Sequence, residues 1–307
     1  MKFQLFITTV LCISVLGCQS DAKEDQTKQE KAILALKALG ARILVDENHP
    51  GKPVTEIWID KKIPEEALSQ LQAFPKLHSL LLCFNHIDDK GLQHLKGLVS
   101  LKRLDLTGNK ITDAGLGALK SLTNLERLTL SSTDVTDAGV EKLKLFPKLR
   151  FLDLSDANVT DLGLACLKDL PNLEGLSLDQ TRITDGGVKH LKTLKQIRSL
   201  DLAENEITDV GLDQIYSLTG IEHLKLNETK ITDDGLKGIK ALTKLRGLGL
   251  ENTQVTDGGL EHLKSLQNLR VLRVNGSKVT DQGVKKLKAA LPELRVRTVD
   301  PVESQRP

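Results

Sequence analysis

The chain has 307 residues, of which 27% are charged and 3% aromatic, and its formal net charge is +2. A balance this close to neutral advertises neither nucleic acid nor an anionic membrane surface as a partner. So few aromatic rings leave little material for stacking on bases or sugars, and the length admits either two globular domains or one elongated one.

In chain order, residues 1–18 read as a targeting segment. Lys2 gives a minimal positive start, and the apolar stretch from Phe3 to Gly17 is shorter than the roughly 20 residues that a transmembrane helix needs. It ends in Val15-Leu16-Gly17-Cys18, which resembles the lipobox of bacterial lipoproteins. The resemblance implies lipidation at Cys18 and, because more than one acyl chain anchors stably, attachment to the bacterial cell envelope. Gln19 rather than aspartate follows the cysteine, so the outer membrane is the expected location. The alternative is an ordinary cleaved leader and a soluble periplasmic or secreted protein. Residues 19–30 are polar and are expected to form a flexible tether, with a helix beginning from about Thr27. Over residues 31–60 an N-terminal cap is expected. Ile33, Leu36 and Leu39 make one apolar helix face, Gly40 suits the position after a helix end, and Ile43–Asp46 and Val54–Ile59 flank a His49-Pro50-Gly51 turn as a hairpin. Such a cap would cover core that a repeat array otherwise leaves bare.

From about residue 54 to 296 the sequence carries an unbroken 24-residue period. Nine times an aspartate, a variable residue and a glycine recur, from Asp89 and Gly91 to Asp281 and Gly283. Such repetition is expected where each unit buries its apolar face against its neighbours. In Leu101–Asn124, Leu104 and Leu106 lie two apart on one strand face, and Ile111 turns the chain inward. Thr112 and Asp113 both suit a helix N-cap, and the sequence does not choose between them. Leu116, Leu119 and Leu122, three apart, give one face of a short helix. A short polar residue recurs after each strand, as Asn85, Asn109, Thr133, Thr181, Asn205, Thr229, Thr253 and Ser277. It is expected to bond neighbouring turn backbone, because buried amides need partners. Ala157 interrupts this series and predicts a weaker rung. Cys83 is assigned to a strand and Cys166 to a helix three repeats away. At about 4.8 Å per rung they are out of disulfide reach, so both are expected as free thiols.

The pattern LxxLxLxx(N/T)x(I/V)TDxGLxxLxxL resembles the leucine-rich repeat. It is most similar to the subtype whose motif continues ITDxGL and usually carries cysteine where this chain has Asn or Thr. The resemblance covers roughly residues 54–296, about nine repeats. It implies an α/β right-handed solenoid with a parallel β-sheet on the concave face and short helices on the convex face. It also implies a non-enzymatic scaffold for a protein or peptide partner of unstated identity. Residues 297–307 are expected to be a disordered tail.

The outward strand positions are where a partner would bind. One column reads His78, Lys102, Glu126, Arg150, Glu174, Arg198, Glu222, Arg246 and Arg270. Its charge alternates from Lys102 to Arg246, which reads as a structural ladder before a recognition strip. A second column runs from Trp58 and Leu81 through Asp105 and Asp153 to Lys225 and Arg273, and a third holds Arg103, Arg127 and Phe151. Trp58 beside Leu81 is either an exposed apolar hot spot or, lying near Arg42 of the hairpin, the finish of the cap. The expected recognition residues are therefore Trp58, Leu81, Arg103, Asp105, Arg127, Phe151 and Asp153, in the first half of the face. No zinc-protease, CxxC, nucleophile-elbow or phosphate-loop motif is present. His94, His190 and His262 share a repeat position but stand three or four repeats apart. The repeated aspartates lack a second carboxylate at fixed spacing. Neither an enzyme, a cofactor, a metal nor nucleic acid is expected. The remaining alternative is structural, an envelope spacer or self-associating surface protein.

Overall fold

A computed structural model describes residues 26–49 and 51–298. The leader with Cys18, residues 19–25 of the expected tether and residues 299–307 lie outside the described residues. The chain is helical over 26–38, here α1, so the helix expected from about Thr27 takes in the last residues of the expected tether. Ala32 and Leu36 of α1 are fully buried against the first coil, with Ile33 and Leu39 half-buried beside them. Among the described residues no helix is long and apolar enough to cross a membrane.

Twelve strands form one sheet in sequential order. They are β1 (Arg42–Val45), β2 (Val54–Trp58), β3 (Ser79–Leu81), β4 (Arg103–Asp105), β5 (Arg127–Thr129), β6 (Phe151–Asp153), β7 (Gly175–Ser177), β8 (Ser199–Asp201), β9 (His223–Lys225), β10 (Gly247–Gly249), β11 (Val271–Arg273) and β12 (Arg295–Arg297). From β2 onward every neighbour is parallel, whereas β1 pairs with β2 antiparallel, as the cap hairpin requires. Arg297 pairs with Arg273 inside β12, so the ordered sheet runs past the start of the expected tail. The fold is an α/β solenoid, with strands on one face and short helical segments on the other.

The register is invariant. Leu80, Leu104, Leu128, Leu152 and their equivalents as far as Leu272 stand side by side and inward, each at most 3% exposed. A fully buried leucine contributes about 1.5–3 kcal/mol, so the stacked leucine columns form the continuous core. Strands of three residues suffice because the ladder continues into the turn. There Phe84, Gly108, Ser132 and Asp156 donate their amides to the carbonyls of Thr107, Ser131, Ser155 and Asp179. The same column bends through a left-handed backbone conformation, with φ of 55° at Phe84, 53° at Ser132 and 51° at Glu204. Only Gly108 and Gly276 meet that demand with glycine. The leucines three apart on the convex side fall largely in 3-10 segments such as Gly117–Leu119 and Lys189–Thr193, whose three-residue turn matches that spacing better than an α-helix does.

Two polar ladders tie successive coils. In the first, Asn109 Oδ1 accepts the amides of Asn85 and Ile87 at 3.1 and 2.9 Å, while its Nδ2 donates to Leu82 and Leu106 at 2.7 and 2.8 Å. Asn205 Oδ1 likewise accepts the Thr181 hydroxyl at 2.9 Å and the Ile183 amide at 3.0 Å, while its Nδ2 donates to the Leu178 carbonyl at 2.6 Å. Where no asparagine follows in the next coil, a threonine at this position only closes its own turn, as Thr133 does on Leu130 at 2.6 Å. Asn85 itself stands against the cap, and its Oδ1 is buried without a partner.

The second ladder settles the N-cap. Threonine is the cap residue, as where Thr112 accepts the Ala114 amide at 3.2 Å. Aspartate does not cap its own helix. It reaches to the next coil, where Asp113 accepts the Thr136 amide at 2.8 Å and the Thr136 hydroxyl at 2.7 Å. The same pair of bonds recurs from Asp89 with Thr112 to Asp257 with Thr280. From Gly115 onward the glycine two residues after each aspartate lies under the preceding coil's carboxylate. A Cβ on Gly163 would stand 2.5 Å from Asp137 Oδ1 and one on Gly259 equally close to Asp233 Oδ1. The D-x-G signature therefore records a contact between coils rather than a local helix start.

Candidate recognition surface

Because side chains alternate along a strand, the residues flanking each inward leucine both project from the open face. The register then lines them into columns. Trp58, Leu81, Asp105, Thr129, Asp153, Ser177, Asp201, Lys225, Gly249 and Arg273 stand side by side in one. Arg103, Arg127, Phe151, Gly175, Ser199, His223 and Gly247 form the other.

At the N-terminal end, the Arg42 guanidinium lies 4.4 Å from the Trp58 ring centre. The tryptophan is thus packed on the cap hairpin and still 37% exposed. Leu81 is its neighbour on β3. Phe84, 64% exposed, extends this apolar end, and its ring lies across Gly108. Cys83 sits in the turn after β3 rather than in the strand. Burial first, and then the adjacent Asp105 carboxylate, pushes its thiol up to about 12. Such a thiol is unreactive at neutral pH. Cys83 and Cys166 are both free.

A groove of about 350 Å³ opens further along, between β5 and β9. Its cause is a run of small residues. Gly175 and Ser199 occupy the column between Phe151 and His223, so two strands present almost no side chain where their neighbours present rings. The Phe151 ring leans over Gly175, where a Cβ would meet Cδ1 at 2.6 Å, and His223 leans over Gly247 in the same direction. Arg127 covers the other face of Phe151, its guanidinium carbon 4.0 Å from the ring centre. Burial first, then repulsion from Arg103 and Arg150, lowers the Arg127 pKa below the usual arginine value.

The sequence-derived residues thus divide. Arg127, Phe151 and Asp153 line the groove. Trp58, Leu81, Arg103 and Asp105 lie on the face toward its N-terminal side, and Asp105 is engaged with the Thr107 amide and hydroxyl at 3.0 and 2.7 Å. Gly175, Ser199, His223 and Lys225 line the groove too and were missed. The available signal was the pair of small residues in an outward column otherwise filled with long or aromatic side chains.

The charged column behaves as a ladder. Arg150 grips Glu174 through two parallel bonds of 3.0 and 2.8 Å. Lys102 pairs with Glu126 at 3.6 Å, and Glu222 serves both Arg198 and Arg246 at 3.2 and 3.4 Å. Exposed pairs of this kind contribute at most about 1 kcal/mol each.

Beside the groove lies an acidic hollow of about 250 Å³ lined by Asp179, Asp201, Glu204, Glu228 and Glu251, with Lys225 bridging to Asp201 at 2.7 Å. Asp179 Oδ1 is buried with no hydrogen-bond partner. Burial, followed by repulsion from Asp201 and Glu204, raises its pKa above the ordinary carboxylate value. The folded state therefore favours the protonated form. That stabilisation is complete below the ordinary carboxyl pKa and is lost as pH rises through the raised value. Asp179→Asn is accordingly expected to raise the thermal midpoint at neutral pH, with the advantage vanishing at about pH 3. Melting curves of both proteins across that range measure it, and an equal gain at every pH would refute the assignment. Asp257 has the opposite sign. The Thr280 amide lowers its pKa, so its contribution is present above the ordinary carboxyl pKa and fades as pH falls. Among the described residues no group of histidine, cysteine or carboxylate side chains is arranged to hold a metal ion.

Comparison with known proteins bears on this surface. The family described as leucine-rich repeat region matches residues 132–302, and the family described as leucine rich repeat matches residues 75–135. Among solved structures, the chain is similar to an internalin (inlF) from Listeria monocytogenes. The two share 26% identity with a TM-score of 0.59 over 82% of this chain and 72% of that one. An internalin C2 from the same organism is 24% identical with a TM-score of 0.47, over 77% of this chain and 84% of that one. A comparison with curated proteins found no match.

Proposed function

Since the chain belongs to the leucine-rich-repeat family, we propose that it is a non-enzymatic scaffold that grips a protein or peptide partner on its concave sheet. The groove between Phe151 and His223 is the observation that carries this reading. It is a cavity made by small residues, walled by an aromatic ring and a guanidinium, on a sheet whose backbone is already fully paired. Rigid strands hold such a surface in place before the partner arrives, which reduces the ordering cost of binding. The groove spans Arg127–Lys225 and so overlaps the Trp58–Asp153 region that the sequence favours at its C-terminal end, through Arg127, Phe151 and Asp153. Trp58 and Leu81 then extend the surface, or complete the cap that Arg42 joins. The lipobox-like Cys18 places the scaffold on the bacterial cell envelope in this reading, as a lipoprotein with repeats akin to the cysteine-containing subtype.

The ion-paired column favours a second reading, an envelope spacer or self-associating protein. Capture of partners from envelope extracts on tagged wild-type, Phe151→Ala and Arg273→Ala proteins separates the two. A scaffold retains a distinct protein that is lost with Phe151→Ala and kept with Arg273→Ala. Recovery of only the protein itself or cell-wall material supports the spacer and sinks the scaffold. Lys225 is unsuited as a control, because it lines the groove.

A further inference from the structure

Arg103 and Arg127 are neighbours in register on β4 and β5, which places their backbones about 4.8 Å apart. Among the described residues neither has a carboxylate within ion-pair distance, although Glu126 and Glu174 nearby are engaged by Lys102 and Arg150. The adjacent acid Asp105 accepts from Thr107. Lys102, Arg150, Arg198 and Arg246 in the adjoining column are paired, whereas the two like charges of Arg103 and Arg127, side by side, repel each other, and the lowered pKa of Arg127 reflects part of that repulsion. Such a pair is costly in the free protein and favourable once an anion sits between the two groups.

The geometry suits one kind of anion. Arg127 lies against Phe151, so the ring fixes one face of the guanidinium. The N–H donors of a guanidinium lie in its plane, which allows it to match a carboxylate with two parallel bonds. The groove floor at Gly175 and Ser199 begins one strand beyond Phe151, leaving room for an apolar side chain next to the anion. We propose that Arg103 and Arg127 form a clamp for an aspartate or glutamate of the partner, whose neighbouring apolar side chain enters the groove between Phe151 and His223. This rests on the concave face being the recognition surface, and it adds the charge and composition of what is recognised.

The test uses synthetic fluorescein-labelled peptides in three versions, with glutamates alternating with leucines, with glutamines in their place, and with lysines in their place. Fluorescence anisotropy is read with the full chain, Arg103→Gln, Arg127→Gln, Phe151→Ala and Arg273→Gln. The acidic peptide is expected to bind at least about tenfold more tightly than the glutamine peptide, the gap closing as salt is raised. Each clamp variant should lose about tenfold or more for the acidic peptide only, and Arg273→Gln little. Equal affinity for the acidic and glutamine peptides, no measurable binding of the acidic peptide, or clamp variants that bind it like wild type overturns the clamp. If Phe151→Ala weakens all three peptides alike while the arginine variants do nothing, the recognition surface stands and only the clamp falls. Circular dichroism of each variant confirms that it is folded before the comparison.

Discussion

Gly187→Ala is expected to destabilise the solenoid by about 2–4 kcal/mol, the sum of overpacking and of lost charge-assisted hydrogen bonds. A Cβ at this position would stand 2.9 Å from Cγ and 3.0 Å from the backbone Cα of Asp161 in the preceding coil. The backbone cannot yield, so the carboxylate must swing away. It would then release the Thr184 amide and hydroxyl, now held at 2.8 and 2.6 Å. Thr184 in turn accepts the Gly186 amide that starts the next helix. One methyl group thus disturbs an intercoil bond and a helix cap together. The double variant Asp161→Ala/Gly187→Ala should cost less than the sum of the two single variants, because the carboxylate clash is gone and only the 3.0 Å contact with the Asp161 Cα remains. Urea unfolding followed by far-ultraviolet circular dichroism measures all three. If Gly187→Ala left the midpoint unchanged, or its cost were the same with Asp161 removed, the ladder would not be what the glycine serves.

Asn109→Ala carries a comparable penalty, about 3–5 kcal/mol, for a different reason. Asn109 is 3% exposed and bonds two amides and two carbonyls that belong to two successive coils. Alanine would leave the Asn85 and Ile87 amides buried without partners, at about 1–3 kcal/mol each, in a cavity too small for repacking to close. Thr133→Ala should cost only about 1 kcal/mol, since Thr133 makes a single bond to its own turn. The reciprocal change is Ala157→Asn. Ala157 follows Thr133 as Asn205 follows Thr181, so an asparagine there can repeat the bonds that Asn205 makes to Thr181, Ile183 and Leu178. A gain of about 1 kcal/mol is expected. Equal losses for Asn109→Ala and Thr133→Ala would show that the asparagine is not joining coils.

Much of the fold was legible because stacking forces equivalent residues into one environment. The leucine columns and the polar residue after most strands could be read from the period, which also narrowed the helix cap to a threonine or the aspartate after it. The signature aspartate was misread as a possible cap because capping rules are local, and its bonds reach 23 residues ahead. The left-handed turn was hidden for a related reason. Phe84, Ser132, Asp156, Gln180, Glu204 and Glu228 occupy it without being glycine, their strain offset by amide bonds to the following coil. The candidate surface was half legible. Attention to large exposed side chains found Arg127, Phe151 and Asp153, yet the groove exists through the absence of side chains at Gly175 and Ser199.

What the sequence determined by itself is the spacing of apolar and polar positions, and with it the coil, its length and the stacking of its copies. Burial of a repeating apolar face is a property of composition and period, so it needs no knowledge of neighbours. What only the tertiary structure decided is which atoms meet across coils. The carboxylate over a glycine, the asparagine joining two turns, the guanidinium laid on Phe151 and the unpaired arginines beside it depend on distances between residues a full period apart. Hydrogen bonds and ion pairs act over a few ångströms and in definite directions, and a linear pattern carries neither.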